Sequence, residues 1–261
     1  MSHERIEPLL SCIVGAGLVL GVLLFVQVSL GGGAVPTPLL MRFSFTLLIA
    51  LVLAAYMSHR LNQIYGLLAA LLVLTAPPFL APSQAGPLSL ALAFYGTSAL
   101  FCLFLWGETG KRRWLTLGGL CVVFGAGCFS WASAAFSAVP ERSAFMGILT
   151  MLLRSILLIP GGADLPPTLI LGPAAVCFLP WAFKGKWPKE KRTLLAIAGS
   201  IVLVLLYAGG LKTLGFVPII PLLAALATFG IHNSYMNVRR PALLFSAVVG
   251  VVAWNAMIFW K

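Results

Sequence analysis

Six carboxylates, three histidines and five cysteines are the residues with which this chain could carry out acid–base, metal or nucleophilic chemistry. Glu4 and Glu7 lie in the N-terminal tail, Glu108 and Glu190 lie among basic residues, and Glu141 and Asp164 flank an apolar segment. None falls inside a long apolar run, where proton-coupled transport would need one, so a pump or transporter of that kind is disfavoured. Glu108, beside Lys111, Arg112 and Arg113, reads as a solvated counter-charge. Glu141 and Asp164 remain as the candidates for a general base. His3, His59 and His232 each stand at the end of an apolar run, with no second ligand at helical spacing, and read as interfacial polar residues. Cys121 and Cys128, seven residues apart, share a helix face and read as packing hydrophobes. No metal site and no cofactor is expected, and no pair of histidines inside spans is present to hold a haem.

Cations offer a second chemistry. Arg42, Arg142, Arg154 and Lys212 stand apart from the other basic residues, with few acids near them. Guanidinium groups bind phosphate oxygens in bidentate fashion and an ammonium acts as a point charge, so such a group fits a lipid phosphate or pyrophosphate. Four unrelated cations touching ordinary phospholipid headgroups would leave the same pattern. Both readings stay open at this point.

The elements that must position these residues are membrane spans. The chain is 61% hydrophobic and 9% charged over 261 residues, with a mean hydropathy of +1.04. Soluble domains carry about 45–50% apolar and about 25% charged residues, so a water-soluble globule is excluded. A bilayer core needs about 20 apolar residues per helix. Nine stretches qualify: Leu9 to Leu30, Leu39 to Met57, Ile64 to Leu80, Leu88 to Trp106, Leu115 to Phe136, Thr168 to Phe183, Thr193 to Gly209, Gly215 to Ile231 and Pro241 to Trp260. The first exceeds the signal-peptide core of about 7–15 residues and is expected to be an uncleaved span. The expected fold is an all-α polytopic transmembrane bundle forming a single domain over residues 1–261, with no soluble domain.

Threading the nine alternately, with the N-terminus in the cytoplasm, collects 12 of the 17 basic residues on one face: Arg5, Arg60, Lys111 to Arg113, Lys184 to Arg192, Arg239 and Arg240. The other face keeps Arg42, Arg142, Arg154, Lys212 and Lys261. This asymmetry, the positive-inside bias, predicts an N-in, C-out chain in a bacterial cytoplasmic membrane and makes nucleic acid the wrong inference from the +11 charge. Ala144 to Ile159, with Arg154 at its middle, is expected to lie on the outer surface as an amphipathic helix, since counting it as a span would destroy the charge bias.

Small residues are frequent in two runs, with Gly15, Gly17 and Gly21 in the first and Gly118, Gly119, Gly125 and Gly127 in the fifth. They predict close helix approach, either internal or to a membrane-protein partner. Trp106, Trp114, Trp131, Trp181, Trp187 and Trp260 stand near run ends as expected interface anchors.

Several segments resemble a known family. LLMRFSFTLLIALVLAAYMSHRLNQIYGLLAALL, from Leu39 to Leu72, resembles the stretch of aminoarabinose-transferase and protein-mannosyltransferase-like enzymes in which an arginine opens a helix, a basic turn follows and an apolar helix returns. LTAPPFLAPSQAGPLSLALAFYGTSALFCLFLW and GKRRWLTLGGLCVVFGAG resemble the next two helices of this class C (GT-C) glycosyltransferase fold. Leu169 to Phe183 resembles its helix ending in Leu-Pro-Trp. GGLKTLGFVPIIPLLAALA, from Gly209 to Ala227, resembles its GK-x-x-x-Y-x-x-P-x-x-P segment, with Lys212 near the lysine and Phe216 near the tyrosine. The order is preserved.

The departures are equally specific. Only GGGAVPTP separates the first two runs, where the family has a long outward loop bearing its catalytic acid. Gln84-Ala85-Gly86-Pro87 replaces a Thr-Asp-Ala-like site, and Ser130-Trp131-Ala132 replaces a Thr-Lys-Gly-like one. Two spans are missing between Phe136 and Pro140. The resemblance is thus to a truncated, degenerate member, and it implies an outer-leaflet groove for a polyprenyl phosphate without the catalytic acid. A non-catalytic partner or lipid-binding subunit is the leading expectation. The alternatives are an active lipid-linked-sugar transferase using Glu141 or Asp164, and a structural subunit of a larger membrane complex.

Overall fold

The computed structural model describes residues 3–29, 38–76, 79, 87–135, 217, 220–237, 246, 249, 250 and 253. Six helices account for nearly all of them: α1 (His3–Ser29), α2 (Pro38–Arg60), α3 (Gln63–Leu74), α4 (Pro87–Thr109), α5 (Arg112–Ala135) and α6 (Ile220–Asn237). The described chain is therefore all-helical, in line with the expected class. α1, α2 and α4 carry apolar stretches of 20, 22 and 23 residues and are each long and apolar enough to cross a membrane. Expected spans Thr168 to Phe183 and Thr193 to Gly209, nearly all of Pro241 to Trp260, and the surface segment Ala144 to Ile159 lie outside the described residues.

The chain divides into two compact units, Met1–Ala70 with Ala85–Ser137, and Leu71–Gln84 with Ala138–Lys261. The first holds α1, α2, α4 and α5, and its helix directions follow from contacts between helix ends. Glu7, early in α1, meets Lys111 and Arg113 at the start of α5, so these two helices run parallel. Arg60, the last residue of α2, meets Glu108 at the end of α4, so these two also run parallel. α4 and α5, joined by Gly110 and Lys111, run antiparallel. All the named charges consequently gather at one end of a four-helix bundle, and the start of α2, with Arg42, belongs to the other.

Local chemistry sets the helix ends. α2 opens on Pro38, whose missing N–H is no loss at the first helical position. The turn into α3 is capped by Asn62, whose Oδ1 accepts the Tyr65 N–H at 3.1 Å. α4 stops at Gly110, which has φ of 65° and donates its N–H to the Trp106 carbonyl at 2.8 Å, the left-handed cap glycine tolerates best. α3 is shorter than expected. It covers 12 residues against the run Ile64 to Leu80, about 18 Å at 1.5 Å per residue where a bilayer core needs about 30 Å. Pro77 and Pro78 account for the early stop, because proline supplies no N–H and bars the helical conformation to the residue before it.

The core of the first unit is aromatic. Phe45, Phe94, Tyr95, Phe101, Tyr56 and Trp114 are all fully buried. α5 buries Trp114, Gly118, Cys121, Gly125 and Cys128, a 4-3-4-3 spacing that keeps one stripe on its neighbours while Leu115, Leu120, Val122 and Val123 remain exposed. α1 does the same with Leu10, Val14, Gly17, Gly21 and Leu24 inside and Val19, Val22, Leu23 and Val26 outside. Exposed valine and leucine on this scale suit a helix whose outer face meets hydrocarbon. α6, in the second unit, is different: every side chain from Ile220 to Ile231 is buried, the behaviour of a helix apolar all round.

Candidate functional site

Of the four cations expected to gather at an outer site, Arg42 alone is among the described residues. It lies on the first turns of α2, half-buried, between buried Met41 and exposed Phe43. Arg142, Arg154 and Lys212 lie outside the described residues, as do the two candidate bases Glu141 and Asp164.

At the opposite end of the bundle the charges are arranged in two clasps. In the first, the Arg60 guanidinium meets the Glu108 carboxylate, and Arg60 Nε also donates to the Tyr56 hydroxyl at 3.2 Å. The Arg60 guanidinium lies 5.5 Å from the Tyr56 ring centroid, and that ring is stacked on Phe101 at 3.9 Å. This clasp is largely screened from solvent, its two side chains being 13% and 22% exposed. In the second, the Glu7 carboxylate accepts from Lys111 Nζ at 2.6 Å and from the Arg113 guanidinium, and here both cations are about half exposed. Arg113 lies 5.0 Å over the Trp114 ring.

Two sequence expectations change. Glu108 is not the solvated counter-charge of the lysine–arginine run. Glu7 takes that part, because α1 and α5 are parallel and bring it there, while Glu108 points to Arg60, 48 residues away. Trp114 is not an interface anchor. It heads the buried stripe of α5 and is 0% exposed, whereas Trp106, on the outer side of α4, is 40% exposed.

The glycine runs resolve into sockets and open positions. A Cβ at Gly17 would overlap the Phe94 ring, one at Gly21 would overlap the Tyr95 hydroxyl and approach Phe124 to 2.8 Å, and one at Gly127 would come within 2.6 Å of Phe25. The Tyr95 hydroxyl, so admitted, donates to the Gly17 carbonyl at 2.8 Å. Gly118 and Gly125 seat Cys102 and Tyr95 at 3.2 and 3.5 Å. Gly15 and Gly119 have open space beside them.

Comparison with protein-family models, with curated proteins and with solved structures gives no match.

Cys102, Cys121 and Cys128 are buried free thiols, and no cluster able to hold a metal occurs among the described residues. One polar feature was not anticipated from the sequence: the Thr97 and Ser98 hydroxyls on α4 and the Trp114 indole N–H are buried without a hydrogen-bond partner among the described residues. Leaving such a group dry costs about 1–3 kcal/mol. A 3.6-residue pattern does not single out Thr97 and Ser98, because α4 is buried over most of its circumference.

Proposed function

We propose that the chain is an integral membrane protein of about nine spans, N-terminus in the cytoplasm and C-terminus outside, that binds a lipid phosphate at the outer leaflet and serves as a non-catalytic partner in lipid-linked glycosyl transfer. Arg42, Lys212 and one or both of Arg142 and Arg154 supply the phosphate contacts. The observation that carries this reading is the place of Arg42, half-buried on the first turns of α2, a helix long and apolar enough to cross a membrane, at the end of the first unit away from Arg60. A half-buried guanidinium on an apolar helix is suited to an anionic partner, and a lipid phosphate has the charge, geometry and depth to be one. The GT-C resemblance supplies the polyprenyl chain, and the missing acid after the first span supplies the non-catalytic role.

Mass spectrometry of lipids retained by the purified protein tests this. Polyprenyl phosphate should be enriched, and Arg42→Gln or Lys212→Gln should each reduce it about tenfold, the worth of one charge-assisted hydrogen bond of about 1.5 kcal/mol. Retention of bulk phospholipid alone would overturn the reading. Replacing Glu141 and Asp164 by their amides should leave any glycosyl transfer by the protein or its complex within a few-fold, whereas a general base would cost at least about 10² in rate.

A further inference from the structure

The corner between α4 and α5 holds more positive charge than it neutralises. Arg60, Lys111, Arg112 and Arg113 face only Glu7 and Glu108 among the described side chains at this end, a surplus of two charges. The distribution is uneven. Glu108 is taken by the screened Arg60, so the surplus falls on Lys111, Arg112 and Arg113, where two cations share the Glu7 carboxylate and exposed Arg112 makes no ion pair among the described residues.

The corner is also short and braced by local contacts. Two residues join the helices, Gly110 is held by its bond to Trp106, the Lys111 N–H donates to Thr109 Oγ1 at 3.4 Å, and Arg113 rests on a fully buried Trp114. Three cations are thus held within one turn rather than on a loose loop. Exposed Trp106, one turn back along α4, adds an indole of the kind that favours the headgroup layer.

We propose that Lys111, Arg112 and Arg113 form a binding site for the headgroup of an anionic phospholipid in the leaflet at this end of the bundle. Phosphate oxygens take the donors that Glu7 leaves unused, and Arg112 contributes its whole guanidinium. Glu7 competes with the lipid for the same two cations and so limits the affinity. The site rests on the membrane placement of the bundle and uses none of the residues assigned to the outer-leaflet phosphate. Failure of the polyprenyl phosphate test therefore leaves it standing, and its own failure leaves that reading standing.

The experiment is native mass spectrometry of the full-length protein titrated with phosphatidylglycerol or phosphatidylcholine of matched chains. Wild type should bind phosphatidylglycerol in preference, and the preference should weaken with salt. Arg112→Gln should weaken it about fivefold, the effect of about 1 kcal/mol per basic residue near an anionic surface. Glu7→Gln should strengthen it several-fold, a gain that damage to the fold would not produce. Intrinsic tryptophan fluorescence on heating verifies that Arg112→Gln is folded. Equal retention of the two lipids, or an unchanged affinity in Arg112→Gln, would overturn the proposal. Displacement of phosphatidylglycerol by equimolar glycerol 3-phosphate would also overturn it, by identifying a site for the free anion.

Discussion

The aromatic interior of the first unit and its charged end hold the same four helices together by opposite means. Inside, Phe94, Tyr95, Phe124 and Phe25 enter spaces that exist only because Gly17, Gly21 and Gly127 carry no side chain. At the end, long cationic side chains reach across to Glu7 and Glu108. The contacts of Phe94 and Tyr95 tolerate little displacement, since both rings are fully enclosed by neighbours. The ionic contacts are made by flexible side chains that re-form with water or another partner when one is lost. Specific packing is therefore concentrated in the glycine–aromatic sockets, while the charged end remains free to serve a ligand.

The sharpest way to break this contrast is to fill a socket. Gly17→Ala and Gly21→Ala should each destabilise the folded protein by about 3 kcal/mol, at the upper end of ordinary overpacking. The Gly21 change also displaces the Tyr95 hydroxyl from the Gly17 carbonyl. Unfolding in detergent by added denaturing surfactant, followed by tryptophan fluorescence, measures both. A loss below about 1 kcal/mol would mean that the rings move aside.

The screened clasp comes next. Arg60→Gln or Glu108→Gln should cost about 1–2 kcal/mol, between the values for exposed and fully buried pairs. The double variant should recover part of the loss, because neither partner is then left as an unpaired charge. Strict additivity in the same unfolding assay would show that the pair contributes nothing of its own.

The smallest effect is expected at the open glycines. Gly15→Ala and Gly119→Ala should be neutral or stabilising by up to about 1 kcal/mol, since alanine favours the helix and nothing stands where its methyl would go. A large loss at either position, with the socket variants also defective, would locate a further helix contact on that face.

How much could be read in advance differs by feature. The sequence by itself determined that the chain is helical and apolar enough for membrane spans, that its glycine-rich first and fifth runs approach other helices closely, that Cys121 and Cys128 share a face, and that Lys111 to Arg113 stand at a helix boundary. These follow from hydrophobic content, from the 3.6-residue period and from glycine and proline at helix ends, all of which act within a few residues. Arg42 was likewise legible as a cation on an apolar helix at the end away from Arg60, but its convergence with Lys212, Arg142 and Arg154 is a matter of helix packing, and those three lie outside the described residues. Only the tertiary structure decided that Gly17 is a socket and Gly15 is open, although they are two residues apart in the same pattern. A helix turns about 200° over two residues, so which of them meets a ring depends on where α4 lies. It also decided that Glu108 serves Arg60 while Glu7 serves Lys111 and Arg113. Proximity along the chain favours the pairing of Glu108 with Lys111, but charges pair with whatever the packed helix ends bring within reach, and the parallel association of α2 with α4 and of α1 with α5 is set by their buried faces.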